Sequence, residues 1–411
     1  MALFRRSKPA STPLTDRDAL LADLDGVVYA GPGALPHAVE SLNRAAEQMR
    51  LGYITNNASR TDAAVAAHLT ELGLTVAPRD VVTSPQAAMR LLATMVPAPA
   101  TILIVGGEGL VDETEKAGYV VTRSADDSPA AVVQGFAPDV AWTDLAEAAF
   151  ALKVPEDEGG IPWISTNTDW TIPRDRGVAP GNGTLVSAVH TAIGRLSTVA
   201  GKPETPIFEE AVDRFGARRP LFLGDRLDTD ISGSVRAGID SALVLTGIDR
   251  PKHVLAAPKG SRPDYILADL RQLHEPYPQT VEKDGVFTVN GAAVRVVDAD
   301  VQIVSEGSAQ IDLLRAGAAA IWATGLAIYA FRVPERLYGT LSTGPERRPA
   351  TRTASGYSGR MEHTRDEPTD ALWSRLRLIE GQPLAARADA YGSLHDELMK
   401  RLEGAPRTDA P

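Results

Sequence analysis

Short apolar runs alternate with amphipathic stretches from Ala19 to about Leu273. Strands covered on both faces need near-continuous apolar sequence, so this alternation predicts a parallel sheet sandwiched between helices. Strands are expected at Ala19–Leu24, Gly52–Thr55, Pro220–Gly224, Ser241–Thr246 and Asp264–Leu267. Between them, 3.6-residue periodicity predicts helices at Pro36–Arg50, Thr61–Gly73, Pro206–Gly216 and Asp230–Gly238. Pro36 suits the first helical position, and Ser59 and Thr61 offer capping hydroxyls. A second set of apolar runs, at Thr101–Val105, Tyr119–Thr122, Ala131–Gln134 and Trp163–Thr166, extends with its helices to about Ile193 and predicts a smaller α/β domain inserted in the first.

After about Pro276 the pattern changes. Alternation over Val286–Val297 around Asn290-Gly291 predicts a hairpin, and Ser308–Ala316 a helix. The segment Pro345–Glu367, dominated by Arg, Thr, Ser, Gly, Pro and Glu, cannot bury enough apolar surface to order itself. The expected organisation is an arm (1–15), a core domain (16–85 and 195–273), the inserted domain (86–194), an α+β extension (274–344) and a partly disordered tail (345–411) with helices at Thr369–Ile379 and Leu394–Leu402.

Four of the core-type strands deliver polar groups where α/β sheets place their ligands, at or beyond the carboxyl end. Asp23 and Asp25 leave the first strand for the Gly26 turn, and buried carboxylates are tolerated only when paired, hydrogen-bonded or metal-bound. Thr55-Asn56-Asn57 offers a hydroxyl and backbone amides for phosphate oxygens, though alone it is also an Asn-rich turn. Lys202 stands between Gly201 and Pro203 before a helix. Gly224-Asp225-Arg226-Leu227-Asp228-Thr229-Asp230 places three acids within six residues, which favours a hard cation such as magnesium over a simple turn.

Charge narrows the function further. The 411 residues carry 42 Lys and Arg against 53 Asp and Glu, a net charge of -11, which disfavours a nucleic-acid surface. An anionic substrate would need positive charge concentrated locally. The absence of cysteine excludes disulfides, thiolate nucleophiles and cysteine-bound zinc, and suits a reducing cytoplasm. Met1–Asp16 is basic and polar without an apolar run, so no signal peptide is expected. The longest uncharged stretch, Ala316–Phe331, falls short of the roughly 20 residues of a spanning helix, so a buried helix or strand pair is expected and no membrane contact.

The order and spacing of Asp23-Leu24-Asp25-Gly26, Thr55, Lys202 and Gly224-Asp225 through Asp230 resemble the four motifs of the haloacid dehalogenase superfamily. About 30 residues separate Asp25 from Thr55 and about 145 separate Asn57 from Lys202, so the inserted domain lies between the second and third motifs. That placement, with Asp-Leu-Asp-Gly-Val-Val-Tyr and Ile-Thr-Asn-Asn, is similar to the class IIA capped phosphatases over about residues 15–273. The resemblance implies a Rossmann-like, doubly wound parallel-sheet core with an inserted α/β cap of the C2A type and a small C-terminal extension. It implies Asp23 as the nucleophile that forms an aspartyl-phosphate and Asp25 as general acid and base. Mg2+ would be held by the Asp23 carboxylate, the Asp25 carbonyl and Asp225, with Asp230 acting behind them or through water. Thr55, the amides of Asn56 and Asn57, and Lys202 would hold phosphoryl oxygens, whereas Asp228 would be a solvated loop residue.

A cap limits access, which favours small phosphorylated metabolites. The expected specificity segment is Thr166–Pro173, continuing through Gly177 to Gly183, with Asn167, Asp169 and Arg176 as candidates. Pyridoxal phosphate phosphatases carry a histidine where this chain has Ile172, which disfavours vitamin B6 phosphates. The extension resembles the acetyltransferase-like addition of some actinobacterial glycerol-3-phosphate phosphatases, which puts glycerol 3-phosphate first, ahead of phosphoglycolate, nucleotides and para-nitrophenylphosphate. Arg336-Leu337-Tyr338-Gly339-Thr340-Leu341 does not complete an acetyl-CoA-gripping pattern, so no acetyl transfer is expected. Caps of this class often dimerise, so a homo-oligomer is a further expectation. A phosphotransferase would carry its cap between the first two motifs, and a non-enzymatic binding protein would not need the intact acids and lysine.

Overall fold

The computed structural model describes residues 11–339 except residue 175. The first ten residues of the predicted arm, the end of the extension, the tail with its two helices, and Thr340-Leu341 lie outside the described residues.

A six-stranded, all-parallel sheet runs in the order Tyr265–Leu267, Asp240–Val244, Pro220–Gly224, Ala19–Ala22, Arg50–Thr55, Val81–Thr83. Its central strand is wholly buried, with alternate residues committed to opposite faces. Leu20 and Ala22 join one apolar cluster with Leu42 and Leu69, while Leu21 joins another with Phe208 and Phe222. Because all six strands point the same way, Asp23, Thr55 and Asp225 are delivered to one rim.

A second parallel sheet is ordered Thr198–Val199, Trp163–Ser165, Ala131–Gln134, Thr101–Val105, Val120–Thr122. The buried helix Ser84–Ala93 leads from the first sheet towards it, so the predicted boundary at residues 85 and 86 falls inside a helix. Arg90 on that helix pairs with Asp213 at 2.5 Å and Glu210 at 3.4 Å on the helix Pro206–Phe215.

Some elements differ locally from the expected ones. The first helix covers Ala38–Ala46 and starts behind His37, whose φ of 66° breaks the helical path, so Pro36 precedes the helix instead of opening it. Thr61 does cap Asp62–Glu71, accepting from the Ala64 amide at 3.1 Å. The helix expected from Asp230 begins as a π turn at Leu227–Ile231 and continues as Ser232–Arg236. Two short hairpins, Tyr29–Ala30 with Gly33–Ala34 and Thr171–Arg174 with Gly177–Pro180, add to the predicted set.

Beyond the core, Val281–Lys283, Val286–Val289, Ala292–Val297 and Asp300–Glu306 form an antiparallel meander. Asn290 and Gly291, with φ of 45° and 83°, make the tight turn that their sequence predicts. The helix Gln310–Ala323 shares one apolar cluster with this meander and with Leu243, Leu245 and Ile266 of the core. Its buried Arg315 donates to the Ile266 carbonyl at 3.0 and 2.7 Å, to Asp312 at 2.8 Å and to Gln272 at 3.0 Å. The Ile266 amide donates in turn to the Tyr277 hydroxyl at 3.0 Å. No helix among the described residues is long and apolar enough to cross a membrane.

Candidate active site

The turn after the central strand places Asp23 in a buried position at the sheet's carboxyl rim. Gly26 makes that turn possible, since its φ is +83° and a Cβ there would lie 2.2 Å from Asp225 Oδ2. Asp25 stands at the same turn, exposed to solvent, in a backbone bridge with the buried Tyr29, whose hydroxyl is pushed up by burial and by the Asp25 and Asp23 charges.

Lys202 brings one buried positive charge to this rim. Its ammonium, 3% of the residue being exposed, donates to Asp23 Oδ1 at 2.5 Å and Asp230 Oδ1 at 2.7 Å. Burial alone would lower the lysine, yet Asp23 and Asp230 hold it above its usual range. Asp230 Oδ2 accepts from the amides of Asp225 at 3.0 Å and Arg226 at 3.1 Å, so its carboxylate orients both the lysine and the loop that carries Asp225. Asp225 Oδ2 accepts from the Ile248 amide at 2.6 Å. Asp228 is exposed and paired with Arg226 at 2.7 Å.

Ligand oxygens of Asp23, Asp225 and Asp230 lie within 4.8 Å of one another, all three residues being buried. Burial pushes the Asp23 carboxyl up to about 7, with Lys202 opposing and Asp230 adding to the rise. Burial likewise pushes Asp225 up to about 9, followed by repulsion from Asp230 and Asp23. Three ionised carboxylates around one ammonium would leave two negative charges uncompensated. An all-oxygen donor set with that deficit fits a hard divalent cation.

The second motif adjoins this cluster. The buried Thr55 hydroxyl accepts from the Asn57 amide at 3.1 Å, and Asn57 Oδ1 accepts from the Ser59 amide at 2.9 Å. The Asn56 side chain clamps the backbone of Lys202, accepting from its amide at 2.8 Å and donating to its carbonyl at 3.0 Å. Asn167 and Asp169, singled out for substrate specificity, both contact Asn56. Asn167 donates to the Asn56 carbonyl at 2.7 Å, and both Asp169 carboxylate oxygens lie 3.2 Å from Asn56 Nδ2. Arg176 is exposed on the turn between Thr171–Arg174 and Gly177–Pro180.

The sequence pattern did not single out the segment after Asp240–Val244. Thr246 donates to the Gly26 carbonyl at 2.7 Å, and Asp249 accepts from the Leu227 amide at 2.6 Å. The available signal was another polar residue and glycine, Thr246-Gly247, just beyond a core strand.

The profile of the haloacid dehalogenase-like hydrolases matches residues 20–120, and a related profile of HAD hydrolase-like proteins matches 199–273. The chain is similar to the D-glycerol 3-phosphate phosphatase of Mycobacterium tuberculosis, at 42% identity over 75% of this chain and 86% of the relative. It is also similar to an acid sugar phosphatase of Staphylococcus epidermidis, at 33% identity over 61% of this chain and 95% of the relative. The crystal structure of the M. tuberculosis glycerol phosphate phosphatase in complex with magnesium superposes with a TM-score of 0.70 at 39% identity, covering 79% of this chain and 95% of that one.

Proposed function

This chain belongs to the haloacid dehalogenase-like hydrolases, and from that premise we propose that it hydrolyses small phosphomonoesters, with glycerol 3-phosphate as its main substrate. The observation that carries this reading is the buried cluster in which Lys202 bridges Asp23 and Asp230 beside Asp225. The glycerol phosphate phosphatase similarity, extending beyond the core into the C-terminal addition, supports the choice of substrate.

Asp23 attacks phosphorus and forms an aspartyl-phosphate as the bond to the leaving oxygen breaks. Asp25 donates a proton to that leaving oxygen, giving the alcohol. Water then attacks the same phosphorus, Asp25 takes its proton, and phosphate departs as the Asp23 carboxylate is regenerated. Thr55, the Asn56 amide and Lys202 hold the non-transferring oxygens as charge builds on them, the Asn57 amide orienting the Thr55 hydroxyl. Asp23, Asp225 and the Asp25 carbonyl would hold Mg2+, with Asp230 set behind them by its bonds to Lys202 and two backbone amides. Bound there, the metal supplies charge neutralisation between two anions.

The partners are phosphorylated metabolites, met in the cytoplasm where such esters are made and consumed; we also infer a homo-oligomer. Ranking glycerol 1- and 3-phosphate, phosphoglycolate, pyridoxal phosphate and nucleotides by kcat/KM, with Asp23→Asn as the inactive control, tests the assignment. Glycerol 3-phosphate should lead and require Mg2+. Both glycerol phosphates near the bottom would overturn the substrate, and an inert wild type the activity itself.

A further inference from the structure

We infer that Asp169 is a positioning residue that sets Lys202 through Asn56, so that the inserted domain helps to assemble the phosphate site, a role that rests on the phosphatase reading above. Asn56 is the node. Its side-chain oxygen accepts from the Lys202 amide at 2.8 Å, and its side-chain nitrogen donates to the Lys202 carbonyl at 3.0 Å. The same nitrogen faces both Asp169 oxygens at 3.2 Å, and an amide whose nitrogen is held by a carboxylate cannot flip. Asp169 therefore joins the Lys202 amide and carbonyl in fixing which way round Asn56 presents its oxygen and nitrogen, and it alone holds that side-chain amide from the far side.

The surroundings leave little freedom for another arrangement. Asn167 donates to the Asn56 carbonyl at 2.7 Å and orients Asp169 by accepting from its amide at 3.2 Å. Ser84 donates to that same carbonyl at 2.7 Å. Gly201 packs so closely that a Cβ would stand 2.3 Å from the Thr166 carbonyl and 2.6 Å from Asn56 Oδ1. The lysine is thus held at its backbone by Asn56, which Asn167 and Asp169 hold in turn, and at its ammonium by Asp23 and Asp230.

A residue acting through Lys202 must matter for every phosphate ester, whereas one that reads the alcohol must matter only for hydroxylated substrates. Asp169→Ala is expected to lower kcat/KM by about 10- to 100-fold for glycerol 3-phosphate and to a similar degree for para-nitrophenylphosphate, which has no hydroxyl to read. Inhibition by inorganic phosphate should weaken in parallel. Asn56→Ala with Asp169→Ala should be no worse than Asn56→Ala alone, and Asp169→Asn, which keeps one acceptor, should recover most of the loss. Asp169→Ser, too short to reach Asn56, replaces the alanine variant if that does not fold. A loss confined to glycerol 3-phosphate, additive losses in the double variant, or unchanged kinetics would each overturn the positioning role. Failure of the phosphatase reading would instead show as a wild type inert on both substrates.

Discussion

Asp225 offers a test of the charge deficit at the cluster. Its carboxyl lies at about 9 in the fold, raised first by burial and then by Asp230 and Asp23, against 3.8 for an ordinary aspartate. Without a divalent cation, the folded state therefore keeps a proton that the unfolded chain has lost, from about pH 4 up to about 9. More protons bound in the folded state means that stability falls as pH rises, by about 1.4 kcal/mol per pH unit for one such group. Asp23, raised to about 7, adds its share below pH 7, so the window from pH 7 to 9 isolates Asp225. Lys202, held above its usual range, keeps its charge throughout that window. Replacing Asp225 by asparagine removes the titrating group while keeping an acceptor for the Ile248 amide. Urea denaturation in chelator at pH 7, 8 and 9 should show the wild type losing about 2 kcal/mol relative to Asp225→Asn, the slope easing towards pH 9 where half the folded molecules have lost the proton. Saturating Mg2+ should flatten the wild-type curve, because carboxylates that ligate a metal are already ionised. A wild-type-minus-variant difference that stays constant within about 0.5 kcal/mol from pH 7 to 9 would refute the reasoning.

Other substitutions probe the turn, a helix cap and the extension. Gly26→Ala must place a Cβ against Asp225 at a φ of +83°, so the Mg2+ concentration for half-maximal turnover should rise about tenfold or more; an unchanged Mg2+ titration would count against the crowding. Thr61→Ala removes the acceptor for the Ala64 amide and should cost about 1 kcal/mol in urea denaturation with kcat unaltered. Arg315→Met strips two hydrogen bonds from the Ile266 carbonyl and leaves the buried Asp312 without its cation, with only Asn290 donating to it at 3.2 Å, for a loss of about 3–5 kcal/mol. A measured loss under about 1 kcal/mol would mean that this network is dispensable.

The strands were legible where burial on both faces demanded an unbroken apolar run. Pro220–Gly224 and Ala131–Gln134 keep their predicted bounds, and Leu20 through Ala22 are wholly buried. Val81–Thr83 and Thr198–Val199 were not legible, since three or two residues carry no period and are fixed by pairing with longer neighbours. Asp23, Asp225 and Asp230 could be picked out because acids at the ends of apolar strands are expensive and demand a partner, whereas Lys202, ordinary by itself, stood out only through its order and spacing with them. The job of Asn56 could not, because its partners Asp169 and Lys202 lie 113 and 146 positions away and nothing local marks the amide as a clamp. Segment Thr166–Pro173 was legible only as a candidate specificity segment, and it is the fold that shows Asn167 and Asp169 turned towards the second motif.

The bonds from Arg315 and Tyr277 to Ile266 have a further consequence, because Tyr265–Leu267 is an outermost strand of the six-stranded sheet. An uncovered strand there would offer its amide and carbonyl as a template for another chain. Here both groups of Ile266 are taken, one by the Tyr277 hydroxyl and the other by the Arg315 guanidinium. A version of this protein cut after residue 273 would keep every residue assigned to the chemistry and yet present an open, adhesive margin. The extension thus acts as a selvedge that keeps one molecule from being woven into the next.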